Sequence, residues 1–472
     1  MFSVVFRLGL ILAVCHFSSR IGTAGEISFL GQIAPILTQR CLGCHGPLKA
    51  DGDLRLHTID AILTPGASGV PTIRPGQPEQ SELWVRLIAE DESVRMPQWD
   101  DPVSETEIEL VKQWIAEGAD FATADHTASI KSQMPPRIHP ISPSRYHVPV
   151  PVNAVAFSPD GTVLAVGGHH EILIWDVATT TLLRRLQRLP ERIQALDWTM
   201  DGKRLFLAGG TPGDYGELSF VNIEGEAPPV VCDTFDDIVL DVGVSRSGQQ
   251  LVAASADRSV RCYGASDGRK MWRSQLHSDF VTAVDFSHDD RFIATGSTDF
   301  TIKVLHAENG QLFTTYNGHQ RQFGDYKGRF AIFAVAFSNT QPLAFSAGQG
   351  NAIRIWEPEK AQAENGSAAD MEERFSNAGH TKHLPHGSQR SVFQLRVYGN
   401  RLFAATGDGV IKEYDTLTLS HIRDYVGHRD WIFALDYHPL SGHLATGSYD
   451  GEVRLWDVTT GETIAAFAAR PQ

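Results

Sequence analysis

Five consecutive residues carry the most specific chemistry in this chain: Cys41, Leu42, Gly43, Cys44 and His45. Two thiols three positions apart fall on one helical turn, where each can add to one vinyl group of a haem and form a thioether. The histidine that follows at once is then held against the iron as an axial ligand, which is the pattern of covalent c-type haem attachment. Other chemistries use less of the pattern. A redox-active thiol pair wants a βαβ setting and has no use for the histidine. A structural zinc site wants a second Cys or His pair, and none follows at zinc-finger spacing. A plain disulfide between Cys41 and Cys44 stays open for an exported chain.

One haem c per chain would need a sixth ligand, and Met96 within Arg95-Met96-Pro97 is the candidate. A thioether is a soft donor, and His45/Met96 ligation raises the reduction potential into the electron-carrier range. Pro97 restricts the backbone beside it. The competing reading makes Met96 core filler. Met134, also followed by a proline, is the rival ligand, but it lies in a proline-rich stretch beyond the expected domain. His57 is separated from His45 by only a short length of chain.

The elements around these residues read as helices. Over residues 27–40, Leu30, Ile33, Ala34 and Leu37 recur at helical spacing and lead into Cys41. Ser104 and Glu107 form the signature of a capping box. Ile108, Val111 and Ile115 then share a face, with Leu110 and Trp114 beside it, and Gly118 ends the run. A helix before the haem motif and another after the methionine is the order of a small all-α cytochrome.

The matches continue in order through Gly52-Asp53-Leu54-Arg55-Leu56, then through residues 74–83 (RPGQPEQSEL), then Met96-Pro97 and residues 107–118. With the Cys41–His45 motif they make residues 26–120 resemble the cytochrome c domain common in planctomycete bacteria. The resemblance implies a haem held by Cys41, Cys44, His45 and Met96, and it supplies no electron donor or acceptor. Gln98 stands where that family usually has a second proline.

The rest of the chain repeats. Apolar segments ending at Phe157, Trp198, Val244, Phe286, Phe337, Val397 and Tyr437 recur every 40 to 60 residues. Each is followed by a third-strand anchor: Trp175, Phe220, Tyr263, Leu305, Trp356, Tyr414 and Trp456. This is the WD40 period of four short strands per blade. Trp175-Asp176, Trp456-Asp457, Gly318-His319 and Gly427-His428 preserve its signature pairs. The expectation is a seven-bladed all-β WD40 propeller over residues 151–472, with no strand left over to seal the ring unless residues 146–149 add one. His428, Thr446 or Ser448, Asp450 and Trp456 resemble a catalytic set on paper, but their placement matches the polar network that holds such blades. Insertions fall at residues 320–330 and 357–390. The second contains His380, His383 and His386, read as a flexible loop, with a surface metal site as the alternative.

The start of the chain indicates the compartment. An apolar run over residues 8–14, too short to span a bilayer, leads to Gly22-Thr23-Ala24, a small-residue site suited to signal-peptidase cleavage. Residues 1–24 therefore read as a signal peptide. A lipoprotein reading centred on Cys15 is weakened by the bulk of Val14. Domain boundaries follow: residues 25–120 for the haem domain, 121–150 for a proline-rich linker and 151–472 for the propeller. Cys232 and Cys262 are either a distant disulfide or two buried thiols, with the thiols favoured.

A net charge of −15 in 472 residues argues against nucleic acid and against an anionic membrane surface. No segment is long enough to span a membrane. The reading is an exported, periplasmic or otherwise extracytoplasmic electron carrier with no catalytic residues assigned. It has an unidentified redox partner protein and a propeller that docks a protein partner. An oxidoreductase whose propeller binds a substrate or second cofactor is the alternative.

Overall fold

The computed structural model describes residues 27–471 except residues 48, 99–100, 123, 136, 226, 321–329, 368–377 and 388–389. The expected signal peptide lies outside the described residues. The chain divides into two compact units, Met1–Met134 and Pro135–Gln472.

The first unit is helical. A single π-turn, Phe29–Ile33, is capped by Ser28, whose hydroxyl accepts the Gly31 N–H at 3.2 Å, and it runs straight into helix α1, Ala34–Arg40. Short helices α2 (Ile59–Ile62) and α3 (Glu82–Leu87) precede the longest, α4 (Glu105–Ala116). The capping box forms as expected: the Ser104 hydroxyl accepts the Glu107 N–H at 3.3 Å, and the Glu107 carboxylate accepts the Ser104 N–H at 3.0 Å. Such a cap contributes ~1 kcal/mol. Gly118, at φ +111°, ends α4 in a conformation that side chains rarely adopt.

The apolar faces of the π-turn and α4 meet. Phe29 and Trp114 stack at 5.4 Å, and Phe121 meets both edge-on at 4.7 and 5.3 Å. Burying a large side chain of this kind contributes about 1.5–3 kcal/mol.

The unit extends past the boundary at residue 120. Phe121 belongs to the core, and helix α5 (Ile130–Gln133) inserts the fully buried Ile130 beside α1. The Ile130 N–H also donates to the His57 carbonyl at 2.9 Å. The other half of the expected linker is fastened to the β unit. Arg137 pairs bidentately with Asp214, both contacts 2.9 Å, and its guanidinium lies 4.0 Å from the centre of the Tyr215 ring. His139 Nε2 is 2.9 Å from the buried Glu217 carboxylate, and Tyr146 donates to Glu171.

Among the described residues the second unit forms six antiparallel sheets whose neighbouring strands are consecutive in sequence, one of seven strands and five of four. Leu182–Trp198 joins what would otherwise be two sheets. Its first part pairs with His169–Asp176, its last part with Arg204–Thr211, and Arg188 sits between them at φ +61°. All seven anchors expected from the repeat fall in strands at the third position of their repeat. Trp175, Tyr263, Leu305, Trp356, Tyr414 and Trp456 are buried there.

The first strands of successive repeats are clasped by side chains. Asp197 accepts the Val244 N–H at 2.8 Å, Asp241 that of Val284 at 2.8 Å, and Asp285 that of Phe337 at 2.7 Å. Asp436, on the last sheet, accepts the N–H of Phe157 on the first at 2.8 Å, so the last sheet is joined to the first in the same way. The last strand, Thr463–Ala468, pairs within its own sheet, and closure uses the clasp and apolar packing rather than an exchanged strand.

The histidines expected in a loop belong to a strand or its end. His380–Pro385 pairs with Ala352–Trp356, after a helix at Pro358–Ser367. Burial lowers the pKa of His380 to about 4, and the Arg354 charge adds to the shift. Among the described residues no group of three or more His, Cys, Asp or Glu side chains is arranged to hold a metal ion.

Candidate haem site

The Cys41–His45 segment follows α1 as a tight turn. The Cys44 N–H donates to the Cys41 carbonyl at 3.2 Å and the His45 N–H to the same oxygen at 2.9 Å, so both thiols and the imidazole arise from one turn of chain. The exit is as constrained as the entry. A Cβ on Gly46 would lie 2.5 Å from the Leu42 carbonyl oxygen, which only glycine avoids, and the His45 carbonyl accepts the Leu56 N–H at 2.8 Å. The backbone of His45 is thus clamped on both sides before any ligand binds.

Cys41 and Cys44 are free thiols. Cys44 is exposed, with the Lys49 ammonium 3.6 Å from its sulfur, whereas Cys41 packs against the core. Burial pushes the Cys41 thiol up to about 12, the neighbouring Cys44 adds to this, and Arg40 opposes it. His45 is buried, and its Nδ1 has no hydrogen-bond partner. A buried imidazole with unused bonding capacity beside two free thiols fits a covalent haem better than a closed polar network.

Met96 lies in the turn that follows α3, half-buried. Its N–H donates to the Arg86 carbonyl at 2.9 Å, its bond to Pro97 is cis, and the Gln98 amide braces the same turn by donating to the Ser93 carbonyl at 2.8 Å. Met134 is not beyond the domain as expected. It packs against the core, with its sulfur 4.0 Å from the Thr38 hydroxyl on α1.

The set that resembles a catalytic group in the last sheet divides in two. Thr446 Oγ1 is 2.7 Å from His428 Nε2 and accepts the Trp456 indole N–H at 2.9 Å. Ser448 donates separately to Asp450. A more complete set escaped the sequence reading. His277 places Nε2 2.8 Å from Thr295 Oγ1 and Nδ1 2.9 Å from the Asp299 carboxylate. His277 stands at the same distance from its Thr and Asp as His428 does from Thr446 and Asp450, so the offset alone was a usable signal. Leu276 in place of the usual glycine hid it. In both sets the histidine is buried and ties its connecting loop to a threonine on the second strand of the following sheet.

Burial lowers the pKa of His428 to about 4, partly offset by the Glu452 charge. Between about pH 6.5 and 4 the unfolded chain therefore takes up a proton that the folded chain refuses, and stability falls as pH falls through that window. His428→Gln should flatten this part of the stability–pH curve, removing a slope on the order of 2 kcal/mol across the window. Denaturant titration at pH 7 and pH 4.5 measures it, and parallel curves for both proteins would contradict the assignment.

Comparison with known proteins agrees with both units. Residues 41–100 match the family model described as planctomycete cytochrome C. Residues 144–176, 270–305 and 419–457 match the WD domain, G-beta repeat. WD repeat-containing protein 1 of Xenopus tropicalis is 25% identical over 321 residues, 66% of this chain and 49% of that protein. COMPASS component SWD3 of Saccharomyces cerevisiae is 25% identical over 210 residues, 42% of this chain and 62% of that protein. The chain thus spans about half to three-fifths of the length of these curated relatives. The crystal structure of the computationally designed Ika8 protein matches with a TM-score of 0.49 at 21% identity, over 67% of this chain and 87% of that one.

Proposed function

We propose that this chain, a cytochrome c-like domain followed by a propeller of WD40 repeats, is an exported single-electron carrier whose propeller holds the haem domain at a protein partner. The observation that carries the reading is the clamped Cys41–His45 turn, with two free thiols and a buried imidazole whose Nδ1 has no partner. Cys41 and Cys44 would attach one haem c, and His45 and Met96 would be its iron ligands. The haem supplies a one-electron iron couple. The chain's own residues would fix its orientation through Cys41, Cys44 and the backbone bonds to His45, and Met96 would supply a soft sulfur ligand.

The β unit is read as seven blades. Leu182–Trp198 serves as the outer strand of one blade and the inner strand of the next, so the seven-stranded sheet counts as two blades and each four-stranded sheet as one. WD40 propellers serve as interaction platforms, and docking of a protein partner rests on that analogy. Residues 1–24 direct export to the periplasm or an equivalent compartment, where c-type haem is attached. Among the described residues no helix is long and apolar enough to cross a membrane. A substrate site in the β unit gains no support from the His277 and His428 sets, whose histidines are buried and bonded to threonines.

The test is a potentiometric titration of the full chain matured with c-type haem assembly machinery, together with its haem-to-protein ratio. One haem per chain following a one-electron Nernst curve is expected. A chain that matures without haem, or a two-electron curve, would overturn the reading.

A further inference from the structure

The outer strand His380–Pro385 pairs on one side, with Ala352–Trp356, and it carries imidazoles that the function above does not use. Its register slips by one residue at Thr381, so His380 lies opposite Trp356 and His383 opposite Arg354. The slip puts both imidazoles on one face of the sheet, where their rings stack at 6.4 Å. Arg354, only 4% exposed, stands on that face with them. From the preceding repeat, the Tyr316 hydroxyl lies 2.8 Å from His380 Nδ1, and the Tyr316 ring stacks on Trp356 at 4.7 Å. The buried His319 also feels the Arg354 charge.

The charges acting on these imidazoles repel a proton. Arg354, His383 and Lys360 act on His380, and Arg354 and Lys382 act on His383. Two acids approach the strand, and both are engaged there: Glu364 accepts the Gly379 N–H at 2.7 Å and Glu357 the Thr381 hydroxyl at 3.2 Å. Burial, ahead of any charge, lowers the pKa of both histidines, that of His380 to about 4.

The far end of the strand lacks a tie that other repeats have. His386, directly after it, stands at the same spacing from Asp408 as His277 from Asp299 and His428 from Asp450, but Ala404 occupies the place of Thr295 and Thr446. Its imidazole is buried, neither ring nitrogen makes a hydrogen bond, and the charges near it are Asp408 and Lys412. Burial lowers its pKa as well.

We propose that His380–Pro385 is an acid-released strand: neutral imidazoles let it pair at neutral pH, and protonation of His380, His383 and His386 detaches it from Ala352–Trp356. Detached and solvated, each imidazole takes up a proton near its ordinary value of about 6.5, whereas in place burial refuses it. Opening is therefore favoured as pH falls below about 6.5, and the gain from His380 is complete near its folded value of about 4. Each proton taken up only on opening raises the opening constant about tenfold per pH unit. Release uncovers the backbone of Ala352–Trp356 as a free edge to which another strand can add.

Hydrogen–deuterium exchange of the full haem-loaded chain, read by mass spectrometry at pH 7 and pH 5 and corrected for the intrinsic pH dependence of exchange, tests it. Protection of residues 380–385 should fall by about tenfold or more at the lower pH. Thr463–Ala468, an outer strand without histidine, should keep its protection. His383→Gln, which removes one titrating group, should lessen the fall several-fold. Unchanged protection of residues 380–385, an equal loss in both strands, or an undiminished fall in His383→Gln would each overturn the inference.

Discussion

A chain in which Cys41 and Cys44 are both replaced by serine is expected to leave a denaturing gel with no haem-dependent stain, while the same chain without the substitutions retains it. Both thioethers vanish with the sulfurs, and no other pair of cysteines stands three positions apart before a histidine. The single variants should stain, if weakly, because either sulfur can hold one vinyl group. The serine pair itself should cost the apo fold little, since Cys44 is exposed and Cys41 lies at the edge of the core. Circular dichroism of the β unit then serves as the internal control, because it belongs to a separate compact unit. Haem still bound covalently to the double variant would place the attachment elsewhere.

The second large effect concerns the opposite face of the iron. Met96→Ala should lower the reduction potential by on the order of 0.1–0.3 V, a fraction of the ~0.8 V that axial ligands span. It should also let carbon monoxide or imidazole reach the metal. Methionine sulfur favours the reduced iron, so its loss favours the oxidised form. Met134→Ala is the discriminating control. Its sulfur lies against Thr38 on α1, and its removal should cost packing without moving the potential. If Met134→Ala moves the potential and Met96→Ala does not, the two methionines exchange roles.

Local patterns were readable before any coordinates. The capping box of Ser104 and Glu107 forms between residues three apart, and the third-strand anchors from Trp175 to Trp456 fall where a repeat of this period must place them. These are features whose partners lie close in sequence or recur at a fixed interval. The features missed are those made by distant partners. Arg137, His139 and Tyr146 looked like linker because Asp214, Glu217 and Glu171, which hold them, lie 25 or more positions away. Ile130 similarly gave no sign that it would fill a gap beside α1.

Within the insertion over residues 357–390 the strand was missed for a related reason. His380–Pro385 is an ordinary outer strand, displaced in sequence by the helix before it, so an interval-based reading places no strand there. The clasps are a third case. Asp197, Asp241, Asp285 and Asp436 were visible as single charges inside apolar runs, but their task of holding the next sheet's backbone is a relation between repeats.

The most direct test of an electron carrier is the absorption spectrum of the full chain matured with c-type haem assembly machinery, oxidised and reduced, with and without carbon monoxide. Low-spin spectra in both states, with the reduced form unchanged by the gas, are expected of an iron whose two axial positions are filled by His45 and Met96. A high-spin reduced spectrum that shifts on adding carbon monoxide would contradict the account, because an open iron binds and activates ligands rather than only passing electrons.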